Sequence, residues 1–168
     1  MALGRRPQRS AEAIAALIEA LADPDPFVRW KAATALASQD VTCVFHALID
    51  ALTTGQPLQR AGAAEALGRI SGEAATNALC KQIGDPEPVV RRAAAAALGQ
   101  IGDPTTVVKL TPLLDDPDVD VRRAAARALG QIASPNTAAA LAAALAGPAQ
   151  PLLLRRALAA ALTRAQHP

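Results

Sequence analysis

Two stretches decide the fold: DPEPVVRRAAAAALGQIGDP at 85–104 and DPDVDVRRAAARALGQIASP at 116–135. They are one pattern written twice, 31 residues apart. The pattern extends in both directions. Val28-Arg29, Gln59-Arg60, Val90-Arg91, Val121-Arg122 and Leu154-Arg155 follow at steps of 31, 31, 31 and 33. Eight residues after each first member stands a leucine: Leu36, Leu67, Leu98, Leu129 and Leu162. Upstream, Leu17, Leu48, Leu79, Leu110 and Leu141 keep the step of 31, as do Leu21, Leu52, Ile83, Leu114 and Leu145. The two extra residues therefore fall in one loop, 147–151. Coincident periods at several positions are the mark of a repeat architecture.

Each unit reads as two helices. Ile14, Leu17, Ile18 and Leu21 give the i, i+3, i+4, i+7 stripe of a first helix. Breakers follow at Asp23-Pro24, Gly55, Asp85-Pro86, Asp116-Pro117 and Gly147-Pro148. Asp25, Gln56, Glu87 and Asp118 then stand at the N-cap of the second helix, three of them followed by Pro26, Pro57 and Pro88. The second helix is expected to end at or just after Gly68, Gly99 and Gly130. Such a pair cannot bury its own apolar face, but stacked pairs can. The expectation is an all-α, right-handed α-solenoid of five two-helix units, with first helices convex and second helices concave. The units are 11–40, 41–71, 72–102, 103–133 and 134–166, behind a flexible basic arm at 1–10. Ten helices in five antiparallel pairs are expected.

Composition agrees. The 168 residues are 51% apolar, yet the aromatics number three: Phe27, Trp30 and Phe45. That excludes a β-sandwich, which needs aromatic and β-branched strands. A formal charge of +2 imposes no nucleic-acid or membrane partner. Val121 to Pro168 holds six arginines and no acid, and Arg5, Arg6 and Arg9 make the other end basic. Two cysteines, Cys43 and Cys80, make no disulfide framework and read as small buried helix residues. No apolar run is long enough to span a bilayer and no signal segment is evident, so a cytoplasmic protein is expected.

The pattern D-P-x-x-V-R-x-x-A-A-x-A-L-G-x-I-G-D-P resembles the short HEAT-like repeat of the phycobilisome (bilin) lyase type, over about residues 11 to 166. The resemblance implies a HEAT-like solenoid. It is unspecific for activity, because the family holds bilin lyase subunits, scaffolds and other binding proteins. It also implies that arginines 29, 60, 91, 122 and 155 tie units together through loop carboxylates and carbonyls. Asp23, Asp85 and Asp116 recur at the right period for that.

Candidate binding residues are the non-repeating ones on the open face of the second helices. Positions +2, +6 and +10 from the anchor share that face. They give a partner-binding set of Trp30, Thr34, Glu65, Arg69, Arg92, Gln100, Arg123, Arg127, Gln131 and Arg156. The stripes are basic and amide-rich toward the C-terminal end, and Trp30 stands at the other as a candidate anchor. The expected function is a non-catalytic scaffold holding a protein partner by an acidic element. The alternatives are a bilin lyase or tetrapyrrole-handling subunit, holding propionates on arginines, and nucleic-acid backbone binding. Few aromatics and Glu65 in the groove count against nucleic acid. No enzyme, cofactor or metal is expected. Cys43 and His46, with Asp50 a turn further, offer too few ligands. The His-Glu pairs of deoxyhypusine hydroxylase, a metal enzyme on similar repeats, are absent, as are a P-loop and G-x-S-x-G. The last unit, with Leu152, Leu153, Leu154, Leu158 and Leu162 and an uncharged first helix, is expected to expose an apolar patch. Self-association or docking to a larger partner follows from it.

Overall fold

A computed structural model describes residues 5–132, of which 5–10 by backbone alone, and nine further residues: 138, 139, 142, 143, 146, 159, 160, 162 and 163. The elements are α1 (Arg5–Ala20), α2 (Pro26–Ala37), α3 (Val41–Thr54), α4 (Pro57–Ile70), α5 (Glu73–Gln82), α6 (Pro88–Ile101), α7 (Val107–Leu110) and α8 (Val119–Ile132). The pairs α1–α2, α3–α4, α5–α6 and α7–α8 are the first four units, and they stack as an α-solenoid. The expected fifth pair, the patch at Leu152 to Leu154 and the self-association read from it lie outside the described residues. The first helix starts at Arg5, six residues ahead of the boundary placed at 11.

The leucine ladders are the core. Leu36, Leu67, Leu98 and Leu129 of the second helices are fully buried, as are Leu48, Leu79 and Leu110 of the first helices. Removing nine such side chains from water, Leu21 and Leu52 included, stabilises the stack by about 1.5–3 kcal/mol each.

Three expectations need correction, and one is made more definite. The second helices end just after their glycines, two residues on, at Ile70, Ile101 and Ile132. Gly68 and Gly99 sit inside the helix because a neighbour sits against them. A β-carbon on Gly68 would stand 2.8 Å from Ala97 Cβ, and one on Gly99 2.5 Å from Ala128 Cα. The end of α6 is made instead by Gly102 in the left-handed conformation, φ 78°. The first helix of the fourth unit is not a full helix. α7 has four residues, flanked by 3₁₀ turns at Pro104–Thr106 and Thr111–Asp115. Pro112 has no N–H to give and its ring displaces the carbonyl four residues back. Gln56 and Glu87 occupy N-cap positions without a side-chain cap. Where acid chemistry does cap, it is aspartate: Asp25 Oδ1 accepts from the Phe27 amide at 2.8 Å, and Asp118 Oδ1 from the Asp120 amide at 2.8 Å. Cys43 is exposed rather than buried, because α3 buries Val44, Leu48, Ala51 and Leu52, one residue off its register.

Close approach has a consequence for shape. α4, α6 and α8 touch through glycine and alanine, so their axes stand near the short end of ordinary helix spacing, about 8 Å. The first helices interpose leucine, isoleucine and Phe45. A stack tighter on one layer than on the other curves toward the tight layer, and this places the second helices on the concave side.

Candidate functional site

Of the five anchor arginines, Arg60 and Arg91 tie one unit to the next, Arg29 and Arg122 bond only their own unit's loop, and Arg155 lies outside the described residues. Arg60 Nε and Nη2 donate to Asp85 Oδ2 and Oδ1 at 2.9 and 2.8 Å. Arg91 repeats the fork on Asp116 at 2.8 and 2.9 Å. Each arginine also donates from Nη1 to carbonyls of its own unit's loop: Arg29 to Asp23 and Pro24, Arg60 to Gly55, Arg91 to Asp85 and Pro86, and Arg122 to Asp116 and Pro117. The carboxylates are nearly buried, with side-chain exposures of 6% for Asp85 and 5% for Asp116. Burial alone would push Asp85 up. The Arg60 fork, the Glu87 amide and the charges of Arg60 and Arg91 outweigh it and hold the carboxyl below its ordinary value. Asp116 is held low in the same way by Arg91, the Asp118 amide and Arg122.

With those arginines engaged, the open surface of the second helices carries further charged side chains of these units. A groove of about 620 Å³ runs across α4, α6 and α8. Six of the expected residues line it: Glu65 from α4, Arg92 and Gln100 from α6, and Arg123, Arg127 and Gln131 from α8. Its floor is alanine: Ala93, Ala96, Ala124 and Ala128. They line the groove together because Arg92 and Arg123 are one repeat apart, while Arg127 is one helical turn beyond Arg123. Among the described residues, neither Arg92 nor Arg127 has a protein acceptor. Arg123 Nη1 donates to Asp120 Oδ1 at 3.0 Å in an exposed i, i+3 pair. Such a pair contributes about 0–1 kcal/mol, so a better acceptor displaces it at little cost.

The other expected residues do not line the groove. Arg69 is half-buried on α4 and donates to the Glu65 carbonyl. Thr34 Oγ1 donates to the Trp30 carbonyl. Trp30 is exposed at the N-terminal end, on α2. Arg156 lies outside the described residues. Two residues were missed. Phe27, 62% exposed, stacks on Trp30 with centroids 6.1 Å apart, and Lys31 Nζ stands 5.3 Å from both rings. Asp120 joins the groove wall. Both occupy the position just before the anchor, where Leu58 and Val89 stand in the intervening units. An exposed aromatic and an acid there were the available signal.

Among the described residues, no three His, Cys, Asp or Glu side chains gather as a metal set. No described helix is long and apolar enough to cross a membrane.

The model of the HEAT repeats matches residues 14–86 and again 76–163. The chain belongs to the HEAT-repeat family. Several solved HEAT-like and armadillo structures share the fold of this HEAT-repeat chain. The complex of CpcE and CpcF of phycocyanin lyase from Nostoc sp. PCC7120 matches at a TM-score of 0.77 and 24% identity, over 89% of this chain and 98% of that one. A designed armadillo repeat protein in complex with the peptide (KR)4 matches at 0.57 and 21%, over 94% and 84%. Human deoxyhypusine hydroxylase in complex with glycerol matches at 0.53 and 20%, over 92% and 85%. At these identities the likeness establishes the fold. No curated protein sequence matches the chain.

Proposed function

We propose that this HEAT-repeat chain is a non-catalytic, cytoplasmic scaffold that holds an acidic segment of a protein partner in the groove across α4, α6 and α8. One observation carries the reading: Arg92, Arg123 and Arg127 line a single groove with Gln100 and Gln131, over an alanine floor. Guanidinium forks suit carboxylates, and amides serve a peptide backbone as both donor and acceptor. Glu65 and Asp120 on the walls set the register of an acidic segment by excluding its carboxylates from those two points. Among the described residues the groove lining holds no aromatic platform, which weighs against single-stranded nucleic acid. The designed armadillo neighbour is in complex with a basic peptide. The charge sense in this groove is the reverse.

The test is the triple variant Arg92→Glu, Arg123→Glu and Arg127→Glu, titrated with a fluorescent glutamate-rich peptide at low and moderate salt. The expected result is salt-sensitive binding by the parent chain and none by the variant. Helicity should be unchanged, since exposed substitutions away from buried networks cost less than about 0.5 kcal/mol each. Undiminished binding by the variant removes the groove reading.

A second reading is favoured by the overlap with the CpcE and CpcF complex, the highest TM-score among these neighbours. In it, the same arginines hold the propionates of a tetrapyrrole. Mixing with a bilin distinguishes the two. A shifted visible absorbance that disappears in the triple variant supports the tetrapyrrole. An unchanged spectrum beside peptide binding supports the scaffold.

A further inference from the structure

The inter-unit clamps are not evenly distributed. Each needs an arginine and, 25 residues on, an aspartate. Arg60–Asp85 closes the joint between the second and third units, and Arg91–Asp116 the joint between the third and fourth. The same step from Arg29 lands on Thr54, and from Arg122 on Gly147. Arg29 is left with its own loop carbonyls. Arg122 keeps its carbonyl bonds, but its buried Nε has no acceptor among the described residues.

Packing follows the same division. Among the second helices, α4 meets α6 and α6 meets α8 more extensively than α2 meets α4, and the first unit leans instead on contacts of α1 with α3 and α4. Where the inner joints have Gly68 on Ala97 and Gly99 on Ala128, the outer one has Gly62 against Leu21 of the preceding unit. The tie that replaces a clamp there is one neutral hydrogen bond, from Gln59 Nε2 to the Ile18 carbonyl at 3.1 Å. The position that is Gly62, Ala93 and Ala124 in the later units is Lys31 in the first. That lysine is exposed and lies over Phe27 and Trp30, so this face of the first unit carries a charge where the later units carry a small residue against their neighbour.

We propose that the solenoid is mechanically divided: units two to four form one clamped block carrying the groove described above, and the first unit is a flap hinged at the unclamped joint. Among the described residues, those that line the groove sit on α4, α6 and α8. The two clamps therefore fix the relative positions of the groove's guanidinium groups before anything binds, which spares a partner the cost of ordering them. The flap carries Phe27 and Trp30. Its hinge lets this aromatic pair swing toward or away from the arginine end, so one rigid arginine-lined groove serves partners of differing length. The consequence for binding rests on the groove reading; the division does not.

Hydrogen exchange on the free full-length chain, read by mass spectrometry, tests the division without any partner. The parent should show α1 and α2 exchanging at least about tenfold faster than α4, α6 and α8, with those three moving as one cooperative block. Asp85→Asn removes one clamp charge with nearly the same shape. It should release α3 and α4 from the block, bringing their rates to those of α1 and α2 and leaving α6 and α8 slow. Arg60→Gln should reproduce that pattern. A rate increase spread evenly over all helices in either variant would mean that the clamps serve global stability alone, and would overturn the division. So would a parent in which α2 and α4 exchange at the same rate. Peptide binding by a parent that shows no block would leave the groove standing and remove the hinge.

Discussion

At the scale of single residues, two positions show how much depends on a partner. Asp85 accepts two bonds from Arg60 and one from the Glu87 amide, so it closes its own loop and joins two units at once. Asp85→Ala leaves a guanidinium that is 16% exposed without its counterion. The expected loss is about 2–3 kcal/mol in a urea melt, since the cost is that of the stranded charge as well as the lost pair. A loss under 0.5 kcal/mol would show that water takes the place of Asp85 freely. Ser71 is the opposite case, a residue whose backbone is misplaced. It lies one repeat before Gly102 and shares its positive φ but not its ψ, with φ 62° and ψ −173° against 78° and 15°, a region that only glycine enters freely. A β-carbon there costs about 1–3 kcal/mol of strain. Ser71→Gly should raise stability by about 1 kcal/mol despite the added freedom of the unfolded chain. A lower melting midpoint would mean that the Ser71 hydroxyl bond to Gly68 outweighs the strain.

At the scale of the helices, glycine separates two kinds of position. Gly99 faces Ala128 Cα at 2.5 Å from where its β-carbon would be, on a helix backbone that cannot turn aside. Gly99→Ala should therefore force α6 from α8 and cost about 1–3 kcal/mol, although alanine is the better helix former. Gly84 has nothing within 4 Å and an unremarkable φ, so Gly84→Ala should be neutral or stabilising by up to about 1 kcal/mol. Thermal melts of the two variants, run side by side, would decide this; equal shifts would contradict the packing argument. The contrast explains what could be read before the structure. Period and polarity are local properties, so the repeat, the buried leucines and the six groove residues followed from spacing alone. Whether Gly99 ends a helix or admits a neighbour depends on a residue 29 positions away. Pro112 was in plain view, but its effect on α7 competes with Leu110, Leu113 and Leu114, all buried in the unit it disrupts. Asp120 entered the groove because an acid stands where the other units have Phe27, Leu58 and Val89, and no repeat average contains that acid.

At the scale of the whole molecule, the clamps make stability depend on pH in a stated direction. Asp85 and Asp116 are held below their ordinary carboxyl value when folded. In the unfolded chain they return to about 3.9. A group whose folded value is lowered contributes stability that is complete above its unfolded value and is lost as pH falls through the folded one. The melting temperature should thus be flat near neutrality and fall below about pH 4 as both clamps take up protons. A second effect acts in the same window. Fifteen carboxylates neutralise while seventeen lysines and arginines stay charged, and the basic excess repels itself. The double variant Asp85→Asn, Asp116→Asn separates the two. It keeps nearly all of the repulsion but has no clamp to lose. It should melt lower than the parent at pH 7 and fall less steeply in acid, so that the two curves converge near pH 2. Parallel curves would assign the acid limb to repulsion and leave the lowered carboxyls without thermodynamic effect. Convergence, together with peptide affinity lost in the double variant at pH 7, would tie the shape of the groove to the two buried ion pairs beneath it.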